Sequence, residues 1–162
     1  MKYLSKIGSS VALIMLIVAC KTTQPSFYAT ETECLGVELD GSQTLKAWGS
    51  GRSQRDAVEQ AKKIAVRDVL FKGHFPGSTD CFEQPLVLEV NAQEKYADYF
   101  NQFFRDGGEY ANYVNLKDER ISQQLFRSAE SRNKAQSKYS VIVRVKRVEL
   151  KEKLMQDGIL KQ

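Results

Sequence analysis

The sequence of 162 residues contains few of the residue types from which metal and catalytic sites are usually built. It has one histidine, His74, and three cysteines, Cys20, Cys34 and Cys81. Zinc sites usually contain paired cysteines separated by roughly two to four residues, and this spacing is absent. A general base needs an orienting partner and a nearby nucleophile, and the sequence indicates neither for His74. We therefore expect no metal site, no cofactor and no enzymatic activity.

The chain also lacks a strong net charge, an internal repeat and an apolar run long enough to span a bilayer. Its formal charge of +4 loses two positive charges if Lys2 and Lys6 are removed with a signal peptide. A charge so near neutral does not indicate nucleic-acid binding. The apolar run at residues 11–18 is shorter than the about 20 residues of a transmembrane helix.

What the N-terminus does contain is the pattern of a bacterial export signal. Lys2 and Lys6 precede the apolar run, which ends in the segment Ile17-Val18-Ala19-Cys20. This segment resembles the lipobox of bacterial lipoproteins, a resemblance that implies cleavage before Cys20 and its modification with lipid. The alternative is a cysteine that follows an ordinary signal or anchor by chance.

A lipid anchor predicts the location and the organisation of the protein. Several acyl chains on Cys20 would hold it durably on a membrane. Lys21 stands where an aspartate retains enteric-type lipoproteins at the inner membrane, which favours the outer membrane. We expect a lipoprotein signal peptide at residues 1–19, a lipidated tether at 20–33 and a single periplasmic domain at 34–162.

The other two cysteines, Cys34 and Cys81, are an even pair in an oxidising compartment. Either they form a disulfide that joins the segment before the first strand to a long loop, or they are two separately buried thiols. The sequence leaves both alternatives open.

The clearest local structure follows Gly49 and Gly51, which we expect to end a strand and to form a tight turn with positive φ. Ser53 and Asp56 have nearly the spacing of a capping box for a helix that ends near Gly73. The apolar residues of this helix share one face: Ala57, Val58, Ala61, Ile64, Ala65, Val69 and Phe71. Its evenly spaced alanines predict a smooth surface that lies close to a sheet.

Two features of this stretch have both a functional and a structural interpretation. Asp68 projects into the apolar face, either as a buried acid with a raised pKa that donates a proton or contacts a ligand, or as a carboxylate near the helix end that is solvated or hydrogen-bonded to loop backbone. We favour the second interpretation. Gly49 and Gly51 before a helix are compatible with phosphate binding, but the third glycine of the dinucleotide fingerprint and a βαβ unit are missing.

Downstream, the pattern predicts a second long helix between Asn91 and Gly107, then strands. Strands are expected at 44–48, 110–116, 121–128 and 136–148, with a hairpin turn at 131–134 and a closing helix at 150–156. The predicted fold class is α+β, a single small domain in which an antiparallel sheet of about four strands is packed by two main helices plus a short C-terminal helix.

Aromatic residues supply the candidate ligand surface. Trp48 lies on the first predicted strand, and Tyr96 and Tyr99 are expected at the rim of the second helix, since each hydroxyl needs a polar partner. Packing or a membrane-facing contact is an equal alternative for Trp48, and for the aromatic face of the second helix we favour core packing.

Several of these motifs together resemble a known group. They are the lipobox, Ala47-Trp48-Gly49-x-Gly51, the alanines at 57, 61 and 65, the valine-rich strand at 141–145, and Leu150 with Leu154. The chain resembles the Lpp-twenty lipoprotein family, and the N-terminal domain of the flagellar assembly protein FlgT has a similar glycine–alanine signature. The resemblance covers residues 42–72 and 138–155. It implies a helix packed on an antiparallel sheet and transfers no catalytic residue.

These expectations predict a lipid-anchored envelope lipoprotein that binds or scaffolds another envelope component without catalysis. Its partners would be the membrane, through the lipid, and an envelope protein. The alternative is a glycan- or peptidoglycan-binding module that uses the aromatic surface. An enzyme using Asp68 or His74 is a third and weaker hypothesis.

Overall fold

The computed structural model describes residues 32–73, 77, 79–81, 84–117 and 137–161. The predicted signal peptide, Cys20, His74, the strand expected at 121–128 and the hairpin turn at 131–134 therefore lie outside the described residues. The elements in chain order are β1 (Glu33–Val37), β2 (Gln43–Gly51), α1 (Gln54–Phe71), α2 (Ala92–Lys95), α3 (Ala97–Phe103), a 3₁₀ helix (Glu109–Tyr113), β3 (Val114–Leu116), β4 (Ser137–Val145) and α4 (Arg147–Gln156).

The strands form one antiparallel sheet in the order β1-β2-β4-β3. β2 and β4 pair along their whole length, from Gln43 opposite Val145 to Gly51 opposite Ser137. With the helices packed on it, this sheet confirms the predicted α+β class. Within the described parts of the chain, no helix is both long enough and apolar enough to cross a membrane.

Helix α1 packs against the central strands through the face that the sequence predicts. Ser53 caps it as half of a full capping box, since its hydroxyl accepts from the Asp56 amide at 3.2 Å and the Asp56 carboxylate accepts from the Ser53 amide at 3.2 Å. Alternate strand residues are buried beneath the helix: Leu45, Ala47, Val141, Val143 and Val145. On β4 the buried valines alternate with the half-buried Ile142 and Arg144, as side chains on a strand point to alternate faces.

The prediction of a tight turn with positive φ at Gly49 and Gly51 is wrong. Both glycines lie within β2, and neither has a positive φ. A Cβ atom on Gly49 would lie 1.9 Å from the carbonyl oxygen of Ala57 and 2.6 Å from the amide nitrogen of Ala61. Glycine is required there because the smooth face of α1 approaches the strand so closely, and not because the chain turns.

The second long helix is interrupted at Tyr96, where φ is −112° and ψ is 35°. Its two pieces, α2 and α3, end at Phe103, and Asn91 makes no side-chain capping bond. Tyr96 joins the two pieces, since its amide donates to the Ala92 carbonyl at 2.9 Å and its carbonyl accepts from the Phe100 amide at 3.0 Å. Gly107, with φ of 67°, ends the region as expected.

Three boundaries also differ from the predictions. The segment expected to be a strand from residue 110 begins as a 3₁₀ helix in which Tyr110 is buried, and the strand starts only at Val114. β4 ends at Val145 and α4 begins at Arg147, earlier than predicted. Thr32 is fully buried and Glu33 begins β1, so the folded domain includes the last two residues assigned to the tether.

Candidate ligand-binding surfaces

Trp48 lies on the face of the sheet that is turned away from α1. Along β2 it alternates with Ala47 and Gly49, which point into the core. The Trp48 ring is half-buried and lies outside the hydrophobic core cluster. The Lys46 ammonium lies 5.0 Å from its centroid, a cation–π contact. We call this side of the sheet, with Lys46, Trp48 and Ile142, the open face.

Tyr96 and Tyr99 pack against the core on the opposite side of the sheet. The Tyr99 ring stacks on Phe103 with centroids 5.9 Å apart, and its hydroxyl donates to the Asp157 carboxylate at 2.6 Å. Burial and this hydrogen bond raise the pKa of Tyr99 far above its usual value. Tyr96 is half-buried with the Lys95 ammonium 4.9 Å from its centroid.

The structure therefore does not bring the three predicted aromatic residues together. Trp48 is on the open face, whereas the tyrosines belong to the helical side. Tyr99 is further committed to Asp157, 58 residues away in sequence, a partner that no local pattern could indicate. Of the predicted set, Trp48 is the residue placed on a surface that the core does not use.

A cluster that the sequence did not indicate lies at one end of the open face. A cavity of about 350 Å³ is lined by Leu35, Gly36, Val37, Glu38, Thr44, Lys117 and Ile142. The Glu38 carboxylate accepts from the Thr44 hydroxyl at 2.9 Å and from the Lys117 ammonium, and it pairs with the Arg144 guanidinium at 3.2 Å. Glu38 and Lys117 are 79 residues apart, so their spacing carries no local signal.

The electrostatics of this cluster suit recognition better than proton transfer. The hydrogen bond from Lys117, with help from Thr44, lowers the pKa of Glu38 to about 2. A carboxyl group with so low a pKa stays ionised at neutral pH, where a general acid or base would need a pKa near the working pH. What the cavity presents is one fixed anion, two cations and a partly apolar wall.

A second, smaller groove of about 270 Å³ lies between α1 and α3. It is lined by Gln60, Lys63, Ile64, Arg67, Phe71, Gln93, Ala97, Phe100, Asn101 and Phe104. Lys63 at its rim pairs with Asp106 at 2.6 Å and lies 5.4 Å from the Tyr110 centroid. Because the rings of Phe71 and Phe100 also form an edge contact at 4.9 Å, this groove is a seam in the helical packing.

Asp68 is buried at the C-terminal part of α1, with 8% of its surface exposed. Burial raises its pKa, and a hydrogen bond donated by the Thr32 hydroxyl opposes that rise. The acid binds a fully buried threonine, and this contact fastens the start of the described chain to the helix. Its partner is a side chain 36 residues away, and not the loop backbone that the favoured interpretation named.

Asp68 should make stability depend on pH in a recognisable direction. Its folded-state pKa is raised above 3.8, so the folded state holds the proton more tightly, and this contribution is fully present below about pH 3.8 and lost as the pH rises through the folded pKa. Wild-type stability relative to Asp68→Asn should therefore fall over the range from about pH 3.8 up through the raised folded-state pKa. Urea unfolding of both proteins across this range measures the difference.

Asp106→Asn is the matched control for that experiment. The exposed Asp106 carboxylate has a pKa lowered by its hydrogen bond to Lys63, so its contribution is present above its unfolded pKa and lost in acid. The wild type should gain stability relative to Asp106→Asn as the pH rises, the opposite slope. Equal slopes for the two variants would contradict the assignment.

Cys34 and Cys81 are joined in a disulfide, the first of the two alternatives that the sequence left open. The bond fastens the buried Cys34 of β1 to the loop that follows α1, and Gly77 of the same loop forms a bridge with Cys34. Across residues 32–73, 84–117 and 137–161, no group of three or more metal-ligand side chains converges.

Comparison of the chain with protein-family models, with curated proteins and with solved structures finds no match in any of the three.

Proposed function

We propose that this protein is a lipid-anchored lipoprotein of the bacterial envelope, resembling the Lpp-twenty family, that binds or scaffolds another envelope protein without catalysis. The single observation that carries the binding role is the open face, a sheet surface on which Trp48 lies outside the core. The anchor would be Cys20, on the outer membrane with the domain in the periplasm.

The sequence and the disulfide support export to the envelope. The export signal ends in a lipobox-like Cys20, and the next two cysteines in the chain are bonded to each other. Disulfides persist in the bacterial periplasm, whereas cytosolic reductants keep most thiols reduced. A cell that exports and acylates this chain would present the domain in such an oxidising compartment.

The open face has the chemistry of a protein-binding surface. Binding energy at interfaces concentrates on tryptophan, tyrosine and arginine surrounded by polar contacts. Trp48 and Ile142 supply apolar area, and Thr44 and Arg144 of the paired strands link it to the Glu38 cluster. A protein partner would cover the indole and meet a rim of fixed charges.

Glycan binding is the second candidate, and Trp48 is the observation that favours it. A sugar ring stacks on an exposed aromatic face, and the charged groups around Glu38 can accept and donate hydrogen bonds to hydroxyls. The commitment of Tyr99 to Asp157 removes the second half of the aromatic wall that this function was expected to use.

Site-specific photocrosslinking in living cells tests the proposal. A photoreactive residue at Ser50, exposed on the open-face side of β2, should give a discrete protein adduct. The same residue at Gln60, exposed on α1, should give none. In a Trp48→Ala background we expect the Ser50 adduct to fall by about tenfold, which corresponds to the loss of one strong contact residue.

The outcomes separate the alternatives. Adducts that run as muramidase-sensitive smears would replace the protein partner with peptidoglycan. Equal labelling from Ser50 and Gln60, or an adduct unaffected by Trp48→Ala, would contradict a role for the open face. Thermal unfolding of Trp48→Ala checks that the variant is folded.

A further inference from the structure

Exposed apolar side chains gather at one end of the domain. Among the described residues six large apolar side chains are exposed: Leu35, Leu39, Leu88, Val90, Leu116 and Val148. Single exposed apolar residues are ordinary, but a group of them in one place marks a contact surface. Four of the six are brought to the same end by the topology.

Leu39 and Val148 meet at the tip of the β1–β2 hairpin. Leu39 is fully exposed in the turn that Glu38 and Gly41 close with a hydrogen bond of 2.9 Å. Val148 is the second residue of α4, which follows closely after β4, and the last residue of β4 pairs with the first residue of β2. A Cβ atom on Gly41 would lie 2.8 Å from a methyl group of Val148, so the turn and the helix are in contact.

Leu88 and Val90 reach this end from the helical side. Helix α1 runs back along β2 and finishes beside the start of that strand. The amides of Leu86 and Val87 donate to the last carbonyls of α1 at 3.1 Å and 2.9 Å, so the chain leaves the helix end at Leu88. The Arg147 guanidinium donates to the Gln84 carbonyl at 2.7 Å and ties this segment to the start of α4.

We call Leu39, Leu88, Val90 and Val148 the tip surface. Three groups of charged side chains near it are paired: Glu38 with Lys117 and Arg144, Glu89 with Lys95, and Lys146 with Glu149. Ion pairs of this kind leave little net field, so the tip surface suits a neutral or apolar occupant.

The chain enters the domain at the start of β1, which runs from there to the hairpin tip. Thr32 is held by Asp68, in the last turn of α1, close to where Leu86 and Val87 bind the helix carbonyls. Eleven residues lie between Cys20 and Thr32, and at about 3.3–3.6 Å per residue this tether spans at most about 43 Å. A lipid attached to Cys20 therefore keeps the tip surface, one short strand further along the chain, within reach of the bilayer.

We propose that the tip surface docks on the lipid bilayer that holds the acyl chains of Cys20, an inference that rests on the proposed anchor. Leu39, Leu88, Val90 and Val148 enter the boundary between headgroups and acyl chains, about 5–10 Å deep at most. The Asp40 carboxylate beside Leu39 stays in the headgroup layer, which limits the depth. Docked in this way, the sheet stands on its end and the open face is turned sideways toward other envelope components.

Hydroxyl-radical footprinting of the full mature chain on liposomes tests the proposal. The free thiol of unacylated Cys20 is coupled to a maleimide lipid in vesicles of phosphatidylethanolamine and phosphatidylglycerol, while Cys34 and Cys81 are protected by their disulfide. Oxidation of the four tip residues should fall about threefold on coupling. Leu35 and Leu116, the exposed apolar residues away from the tip, are the internal controls and should not change.

If the oxidation of the four tip residues does not change on coupling, or if Leu35 and Leu116 are protected equally, the inference is overturned. Protection that appears only at high protein density on the vesicles would assign the surface to protein contacts and would also overturn it. Leu39→Ser combined with Leu88→Ser, at two exposed positions that the fold does not need, should restore the oxidation of Val90 and Val148.

The anchor is tested separately by the mass of the N-terminal peptide isolated from cells. An unacylated Cys20 would remove the proposed anchor, whereas the maleimide-coupled footprint would still show whether the tip surface binds lipid.

Discussion

Replacing both bonded cysteines should lower the free energy of unfolding by about 4 kcal/mol. The expectation follows from chain entropy: the Cys34–Cys81 bond closes a loop of 47 residues, which it keeps short in the unfolded chain. A domain of this size is stable by roughly 5–15 kcal/mol, so the loss is a large share of the total. Cys34→Ala with Cys81→Ala avoids burying a new polar group at position 34, which is 1% exposed.

Urea unfolding followed by circular dichroism measures this loss. The wild type treated with a reductant is the matched control and should lose nearly as much as the double variant, because both remove the same cross-link. The crosslink from Ser50 on the open face should remain. Cys34 lies opposite Leu45, and Trp48 is three residues further along β2. A loss below about 1 kcal/mol would show that the bond constrains little beyond what native packing already holds.

Local signals account for the parts of the fold that the sequence predicted. Ser53 and Asp56 define the start of α1 because a capping box needs only four residues. The alternation at Val141, Val143 and Val145 defines the buried side of β4 because side chains on a strand point to alternate faces. Both patterns are complete within one element, and no tertiary contact is needed to read them.

The missed features depend on contacts between distant elements. Glu38, Lys117 and Arg144 meet only because the strand order β1-β2-β4-β3 assembles the ends of β1 and β3 and the middle strand β4 in one sheet. Thr32 and Asp68 meet because β1 lies beside the end of α1. Before the sheet order is known, the first three residues read as ordinary surface charges and Thr32 reads as part of the tether.

The candidate site shows the same division. Trp48 lies outside the core because its neighbours Ala47 and Gly49 occupy the inward positions of β2, a placement that the sequence left open. The sequence could not separate Tyr96 and Tyr99 from Trp48 in space, since a helical wheel shows which side of a helix is apolar but not which side of the sheet the helix covers. Asp157, the partner of Tyr99, lies beyond the last helix.

The proposed functions use different parts of this architecture. The tip surface lies at one end, Trp48 lies on the face of the sheet opposite α1, and the Glu38 cluster adjoins both. Membrane attachment at Leu39 and Leu88 and partner binding at Trp48 would thus use separate surfaces. Substitutions at Leu39 or Leu88 should alter lipid contact and leave the Ser50 crosslink in place.

Gly49→Ala, at the buried glycine of β2, should be the most damaging glycine substitution in this strand. We expect it to lower the free energy of unfolding by about 3 kcal/mol. The added Cβ atom would lie 1.9 Å from the Ala57 carbonyl oxygen and 2.6 Å from the Ala61 amide nitrogen, so α1 must move away from the sheet. That movement also opens the contacts of Ala61 and Ala65, which are fully buried. Ser50→Ala, at the next position and exposed, is the control and should change stability by less than about 0.5 kcal/mol.

A double variant separates this explanation from a simple loss of strand flexibility. The atoms that obstruct the new Cβ belong to the backbone of α1, so removing the Ala57 side chain should not restore stability to the Gly49→Ala variant. In the double variant Gly49→Ala with Ala57→Gly, the glycine within the helix should lower stability by about 1 kcal/mol more. Chemical denaturation of the single and double variants measures both effects. Rescue by Ala57→Gly would show that the helix is held off by side chains, and the close approach of α1 to β2 would no longer explain why the chain has glycine at this position.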